Sequence, residues 1–503
     1  MHLNLKQFFL MLALLVPVAA RAQYQGTERP AGDTTLVLSL EDAIRIALSE
    51  NTSVKVADLE VQRQEYAHKG TYAALFPQVS GSGSYQRTIK KQVMYMGGSS
   101  DDENGGGMAG MYSSMMEPIY YYLEQLMAQH PGAIQPYVPA PVEDSGKSGS
   151  DGFEVGRLNT FSVGVSAAMP LVNAQLWESI SLSADQVELA VEKARESRLG
   201  TVTSVKQAYY AVLLAKEAFQ VYKSVYENAL ENFRQTELKY NAQKASELDL
   251  TRAKSSVAAA VPNVYNAESS VLLALWQLKA VMGIDLERAI DVSGNLAEYA
   301  QDMFRTLNEG EEASLEGNSS LRQLDMQAGQ LAKTIRMQQY AYLPSLNLSF
   351  AYSYNAMTND FKFSEYRWTP YSYVGLNLSI PIFSGGQRYH AIKQSRVQAD
   401  ELQLQRRETE RQLRIGIRQS LQTMETAMKS YDAAADAIET AEKAYDIASK
   451  SYKVGRSTLT DLNNTELTLT QTRLQAAQAV YNFVVAKAGL EQVLGYDFAS
   501  EEK

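Results

Sequence analysis

Four segments of the chain alternate between apolar and polar residues as β-strands do. In the third segment, Leu346, Phe350 and Tyr354 share one face, whereas small or polar residues occupy the other. Alternation over about 10 residues matches the length of a tilted membrane-spanning strand. The predicted strands are residues 79–89, 158–169, 345–355 and 371–380.

Aromatic residues crowd the ends of the third and fourth predicted strands, as an interfacial aromatic belt would. Two half-buried hairpins of a soluble domain would also show this alternation, so both interpretations remain open at this point. The aromatic residues are Tyr352, Tyr354, Tyr366, Trp368, Tyr371 and Tyr373.

A seven-residue periodicity fills the segments that follow the second and fourth strands. Residues 173–240 and 386–452 are predicted to form helices about 100 Å long. Bulky residues repeat at one core position, and in the second helix alanines repeat three positions later, which is a coiled-coil pattern. The bulky rows are Val212, Phe219, Tyr226, Phe233 and Tyr240, and Met424, Tyr431, Ile438, Tyr445 and Tyr452.

The chain then turns and returns in shorter helices. Their seven-residue rows are Leu250, Val257, Val264, Val271 and Leu278, and Leu462, Leu469, Ala476, Phe483 and Leu490. Helices are also predicted before each hairpin, over 39–72 and 320–340. A preceding helix stacked end to end on a return helix would match one long helix in length.

The chain repeats itself. Residues 51–77 align without gaps on 318–344, and Pro170, Tyr240 and Gly283 correspond to Pro381, Tyr452 and Gly495. This predicts two tandem structural repeats, 23–300 and 301–503. Lipid does not tolerate the open edges of a four-stranded sheet, so the interpretation requires a ring built from several chains.

The first hairpin differs from the second by an insertion over 87–157. The insertion is first rich in Gly, Ser and Met and then rich in Pro. This composition predicts an irregular surface loop with one helix near 120–129. Thioethers suit Cu(I), so a copper site is an alternative to flexible packing, although we expect no metal site. The methionines are Met94, Met96, Met108, Met111, Met115 and Met116.

Residues 1–22 have the pattern of a secretory signal peptide, with Lys6, an apolar core and the small-x-small site Ala20-Arg21-Ala22. No later segment has about 20 consecutive apolar residues, so no membrane-spanning helix is predicted. The formal charge is −10 and there is no Cys. Acidity without a basic cluster argues against nucleic acid as a partner, and the absence of Cys excludes disulfides and thiolate metal sites.

Short motifs flank the strands and one helix end. They are Ala74-Leu75-Phe76-Pro77, Tyr342-Leu343-Pro344, Ile380-Pro381-Ile382-Phe383-Ser384-Gly385-Gly386, and Tyr452-Lys453-Val454-Gly455 followed by Asp461-Leu462. In this order, they make the chain resemble the TolC-like outer-membrane efflux proteins over nearly its whole length. The resemblance implies an α+β membrane protein, a homotrimer with a 12-stranded β-barrel continued by a 12-helix α-barrel, a coiled-coil tunnel.

The resemblance further implies an exit duct in the cell outer membrane that extends into the periplasm. Such a duct passively conducts substrates for a tripartite efflux or type I secretion system, without a cofactor. Its partners are a periplasmic adaptor protein, an inner-membrane pump and outer-membrane lipid. The residues assigned to strand–helix junctions are Pro77, Pro170, Pro344, Pro381, Gly385 and Gly386.

The resemblance also implies a periplasmic gate where the long helices turn. Asp461, Tyr452 and Gly455 match the family's tip motif, Asp249 matches through the repeat, and Arg456 lies one place before the family's tip arginine. In the family, acidic rings at this tip narrow the pore and attract cations.

Helix capping is a competing explanation for the two tip aspartates. Ser246 with Asp249, and Thr458 with Asp461, both fit the capping-box spacing. Capping alone, and capping combined with a gating ring, remain open.

Catalysis is not expected, because the four His residues have no ligand spacing and no phosphate-binding loop or nucleophile elbow occurs. The second functional hypothesis is a structural or adhesive envelope stalk, a coiled coil on a small barrel. Truncation of the tip would abolish export by a duct but would leave a stalk anchored.

Overall fold

The computed structural model describes residues 36–94, 108–129, 153–301, 303 and 314–496. The predicted signal peptide 1–22, Met96 and the Pro-rich part of the insertion lie outside these residues. None of the described helices is long and apolar enough to cross a membrane.

Helices dominate the fold, and two of them are very long. The helices are α1 Leu40–Glu50, α2 Thr52–Ala73, α3 Met108–Gln129, α4 Ala174–Asn241, α5 Glu247–Met282, α6 Leu296–Ala300, α7 Ser319–Tyr340, α8 Gln387–Lys453 and α9 Leu459–Leu494. The predicted bounds of α4 and α8 are confirmed to within one residue.

Eight strands of the described residues form three sheets. The strands are β1 Leu36–Leu38, β2 Gln78–Arg87, β3 Gln92–Met94, β4 Phe153–Val155, β5 Asn159–Val172, β6 Ile290–Val292, β7 Ser345–Thr358 and β8 Thr369–Ser379. The largest sheet is antiparallel, in the order β2-β5-β7-β8, and contains all four predicted strands. β1 and β6 pair in parallel, and β3 and β4 extend the first hairpin.

The chain divides into two compact units. The helical unit comprises Met1–Leu59, Lys193–Arg322 and Thr409–Lys503, and the sheet unit comprises Glu60–Glu192 and Gln323–Glu408. The main core of the helical unit lies where α1 and the β1–β6 pair pack against α4, α5, α8 and α9. Ile44, Tyr209, Met282 and Phe483 are among its buried side chains.

Alanines line the closely packed rows of the helical unit. Ala427, Ala434, Ala441 and Ala448 are buried on α8, as the sequence predicts. The exposed side of α8 carries ion pairs one turn apart, among them Glu439 with Lys443 at 2.6 Å. Buried alanines on one face and paired charges on the other stabilise a helix of this length.

Two joints connect helix ends inside the helical unit. The side-chain amide of Asn51 donates to the carbonyl of Val281 at 2.6 Å, and that of Asn318 donates to the carbonyl of Val493 at 2.7 Å. Each asparagine oxygen also accepts from a backbone N–H in the first turn of the following helix. The start of α2 therefore lies against the end of α5, and the start of α7 against the end of α9, as end-to-end stacking predicts.

Two predictions about the helices and the insertion need correction. The helix predicted over 39–72 is broken at Asn51, because this residue has extended backbone angles and ends α1 before α2 begins. The insertion contains β3, β4 and a helix of 22 residues, so it is more regular than predicted.

The four-stranded sheet has two different faces. Register places Val165, Tyr352 and Val374 on an apolar face, and Ser82, Ser353 and other uncharged polar residues on the opposite face. Apolar side chains of β8 are highly exposed, with Val374 at 71% and Leu376 at 64%. Along these four described strands, the polar face carries no charged side chain.

The predicted aromatic belt is split between these faces. Paired residues on adjacent strands face the same way, and the partners of Tyr371 and Tyr373 are Ser353 and Ala351, not the tyrosines of β7. Tyr352 and Tyr354 lie on the apolar face, whereas Tyr371 and Tyr373 lie on the polar face. Tyr366 belongs to a cluster of rings at the β7–β8 end, 5.4 Å from the centroid of Phe161.

Candidate functional site

The tip turns end α4 and α8 with the same backbone geometry. The N–H of Lys244 donates to the carbonyl of Lys239 at 2.7 Å, and that of Arg456 to the carbonyl of Ser451 at 2.8 Å. Inside each turn, the N–H of Gln243 donates to the carbonyl of Tyr240 at 2.8 Å, and that of Gly455 to the carbonyl of Tyr452 at 3.1 Å. These bonds complete the Schellman pattern of helix termination. The left-handed position is Gly455 with φ 77° in one turn, and the non-glycine Gln243 with φ 54° in the other.

Both predicted capping boxes are present. The hydroxyl of Ser246 donates to the Asp249 carboxylate at 2.7 Å, and that of Thr458 to the Asp461 carboxylate at 2.6 Å. Each serine or threonine oxygen accepts the aspartate backbone N–H at 3.1 Å. Capping is therefore a real role of both aspartates.

The capping hydrogen bonds favour the ionised form of Asp461. Hydrogen bonds from the side chain and backbone of Thr458 hold the pKa of its carboxyl below the usual value. Ser457 adds a third donor at 3.3 Å. The Asp461 side chain is exposed, so its charge acts on solvent and ions near the turn.

Tyr452 connects the second tip turn to α4 by hydrogen bonds. Its hydroxyl lies 2.5 Å from Thr236 Oγ1, and its carbonyl accepts from Lys239 Nζ at 2.8 Å. The same Lys239 amine lies 4.5 Å from the centre of the Tyr452 ring. Tyr452 also packs in a small core with Ala253 and Leu462.

The remaining tip residues are on the surface. The side chain of Arg456 is exposed, and its backbone N–H belongs to the turn. A Cβ on Gly455 would meet no atom within 4 Å, so only its φ favours glycine there. Sequence reasoning missed Thr236 and Lys239, since a contact between two distant helices leaves no local pattern.

Three of the four prolines assigned to strand–helix junctions lie just outside strands. Pro77 and Pro344 directly precede β2 and β7, and Pro381 follows β8. Gly385 and Gly386, with φ 61° and 85°, form the turn that leads into α8.

Pro170 lies near the change from strand to helix, since β5 ends at Val172 and α4 begins at Ala174. It lies inside β5, which continues to Val172 through a register shift. The neighbouring strand β2 begins at Gln78, which lies opposite Ala168, so Pro170 has a neighbour on the β7 side alone. Because no strand lies on its other side, the N–H that proline lacks is not needed for hydrogen bonds to β2. Asn173 then caps α4 by accepting the N–H of Leu176 at 3.1 Å.

Within the described residues, no group of three or more His, Cys, Asp or Glu side chains is arranged to hold a metal ion. The polar groups of the tip are engaged in capping and in helix contacts. The arrangement can orient charge and restrain helix ends.

Comparison with known proteins identifies the family. Residues 143–284 and 312–496 match the family described as outer membrane efflux protein. The chain is 22% identical over 349 residues to the outer membrane protein TolC of Escherichia coli (strain K12), covering 67% of this chain and 70% of that protein. It is 21% identical over 344 residues to TolC of Salmonella enteritidis, covering 67% and 69%.

Solved structures share the fold. The Campylobacter jejuni CmeC outer membrane channel is similar with a TM-score of 0.62 at 16% identity, covering 92% of this chain and 88% of that chain. The open-state MtrE outer membrane channel of Neisseria gonorrhoeae gives a TM-score of 0.61 at 17% identity, covering 91% and 88%. With the family matched over most of its length, the chain belongs to the outer membrane efflux protein family.

Proposed function

We propose that this outer membrane efflux protein works as a homotrimeric exit duct, whose barrel carries substrates through the outer membrane and whose helical tunnel reaches into the periplasm. The observation that carries the proposal is the four-stranded sheet with one exposed apolar face and one uncharged polar face. Lipid solvates the first face, and a water-filled pore solvates the second.

The open edges of the four-stranded sheet support assembly of several copies of the chain into one closed barrel. β2 and β8 are its edges, with 10 and 11 residues, and lipid does not tolerate unpaired backbone groups at such edges. Because the four strands alternate in direction, β8 of one copy meets β2 of the next in antiparallel orientation. Three copies give the 12 strands of the proposed barrel, and four struts from each give the 12-helix tunnel.

The two equivalent joints and tip turns support two repeats per chain, 23–300 and 301–503. In each, a helix before the hairpin and a return helix meet at an asparagine, and a long helix forms the second strut. A periplasmic adaptor and an inner-membrane pump are the proposed partners, because a passive duct needs an energy source elsewhere.

Disulfide trapping tests the ring. The natural chain has no Cys, so introduced thiols are the only ones present. Ser82→Cys on β2 is combined in turn with Tyr371→Cys, Tyr373→Cys or Gly375→Cys on the same face of β8. We expect one of these pairs to oxidise into covalent trimers on non-reducing gels.

The control pairs Ser82→Cys with Val374→Cys, which lies on the opposite face and should give no trimers. If every same-face pair remained monomeric, and light scattering of the detergent-purified protein gave the mass of one chain, the trimeric duct would be rejected.

We further propose that Asp249 and Asp461, with Tyr452, Gly455 and Arg456, form the periplasmic gate. The exposed, ionised Asp461 supports a cation-attracting ring when copies come together. Asp249→Asn and Asp461→Asn are compared in planar bilayers with Glu439→Gln, an acid already paired with Lys443. The tip variants should lose cation preference and the control should keep it; unchanged selectivity in all three would leave capping as the only role of the aspartates.

A further inference from the structure

Glu466 occupies a core position of the helical packing near the tip. Leu459, Leu462, Glu466 and Leu469 follow the alternating three- and four-residue spacing of a coiled-coil seam, and all four are buried. Glu466 has only 8% of its surface exposed. A carboxyl group at such a position is shielded from water.

In the part of the chain that the structure describes, Glu466 has no ion-pair partner. The side chain of the neutral Asn228 on α4 donates a hydrogen bond to it, and Tyr445 on α8 is close enough to feel the charge of its carboxylate. Its Oε1 atom is buried without a hydrogen-bond partner among the described residues. Along α9, the next cation on this side is Arg473, which is engaged with Glu442 of α8 at 2.7 Å.

These surroundings affect both ionisable groups. Burial raises the pKa of the Glu466 carboxyl above its ordinary value of 4.5, and the Asn228 hydrogen bond opposes this only in part. Burial, together with the nearby carboxylate, raises the pKa of Tyr445 to about 12. Tyr445 therefore remains neutral over the whole range in which Glu466 titrates.

We propose that Glu466 is a proton-sensitive switch in the tip seam, defined here as the buried row Leu459, Leu462, Glu466 and Leu469 of α9. The protonated carboxyl remains buried and holds the seam closed, whereas the ionised carboxylate admits water and loosens α9 from α4 and α8. Because the closed seam binds the proton more tightly than the open one, closure is favoured at low pH and is weakened as pH rises from about 4.5.

The seam adjoins the second tip turn. Leu459 and Leu462, which precede Glu466 on α9, pack against Tyr452 in the small tip core. Loosening the seam would release this core and the turn that it holds. The consequence for gate opening rests on the proposed duct function, whereas the pH dependence of the seam does not.

Hydrogen–deuterium exchange of the full-length protein between pH 4.5 and 7.5, corrected for intrinsic exchange, tests the switch. In the wild type, protection of the peptides around 445–452 and 459–470 should fall as pH rises. The fall should be about tenfold for each pH unit between the pKa of the buried carboxyl and its value in the open seam. Glu466→Gln, which mimics the protonated form, should keep high protection at every pH.

Glu439→Gln is the matched control, because its exposed carboxylate is paired with Lys443 and should leave the wild-type pH response unchanged. Glu466→Leu restores an apolar seam and serves as a second variant in case the glutamine folds poorly; it too should abolish the response. The switch is rejected if the wild type shows no pH dependence, or if both Glu466 variants retain it.

Discussion

Three glycines of the helical unit allow a quantitative test of the joints. Gly283 and Gly455 have nearly the same left-handed backbone, with φ 75° and 77°, whereas Gly416 lies inside α8 in ordinary helical conformation. A Cβ on Gly455 or Gly416 would meet nothing within 4 Å. A Cβ on Gly283 would lie 2.8 Å from the Glu50 carbonyl oxygen and 2.9 Å from Asn51 Cα.

The structure therefore separates backbone strain from steric clash. Gly416→Ala should stabilise α8 by about 0.5–1 kcal/mol, since alanine suits a helix interior better than glycine. Gly455→Ala should cost about 0.5–1.5 kcal/mol, because left-handed strain of about 1–2 kcal/mol exceeds the gain from a stiffer unfolded chain. Gly283→Ala should cost about 1–3 kcal/mol more than Gly455→Ala, because the obstructing atoms at Gly283 are backbone and cannot rotate away.

Local opening free energies from hydrogen exchange are the suitable assay, since a chain with two compact units need not unfold in one step. For Gly283→Ala, the loss of protection should be concentrated at the end of α5 and the start of α2. Equal costs for Gly283→Ala and Gly455→Ala would refute the close approach of these helix ends.

Other side chains make further predictions for thermal unfolding and exchange measurements. Leu462→Ala should destabilise the tip by about 2–5 kcal/mol, while Leu248→Ala should change stability by less than about 0.5 kcal/mol, because the first side chain is fully buried and the second is exposed; similar effects would contradict the tip core. Tyr209→Phe should cost about 1–3 kcal/mol, since its hydroxyl donates to the Ser293 carbonyl at 2.6 Å in a buried site; a neutral result would dispute that bond. Asn318→Ala should cost about 1–2 kcal/mol by removing a helix cap and the bond to α9, and loss confined to distant helices would contradict the joint.

Strong periodicity explains why the long elements could be predicted. The heptad rows of α4 and α8 extend over many turns, so local exceptions could not move their bounds by more than one residue. On α5, however, the fully packed row is Ala253, Ala260, Ala267 and Ala274, whereas the larger residues three positions earlier are mostly half-buried. The sequence analysis assigned the core of this helix to the larger side chains and therefore missed the alanine row, although the seven-residue spacing of the alanines is visible in the sequence.

The break at Asn51 could have been predicted from the repeat. Asn51 aligns with Asn318, which directly precedes α7, and both side chains cap the following helix. The apolar pattern around Asn51 continues on both sides, so periodicity alone favours one helix. The bulge after Pro170 could not be predicted, because it depends on where the neighbouring strand β2 begins.

Equal backbone geometry in the two tip turns does not give them equal surroundings. Tyr452 is 8% exposed against Thr236 and Lys239, whereas its counterpart Tyr240 is 38% exposed. Leu238 and Leu248, which flank the first turn, are exposed as well. A helix in a closed ring has a neighbour on each side. Within one chain, the tyrosine of the second turn is packed against a neighbouring helix, whereas the tyrosine of the first turn is exposed. Under the proposed assembly, the apolar surface of the first turn is therefore where an adjacent copy would pack.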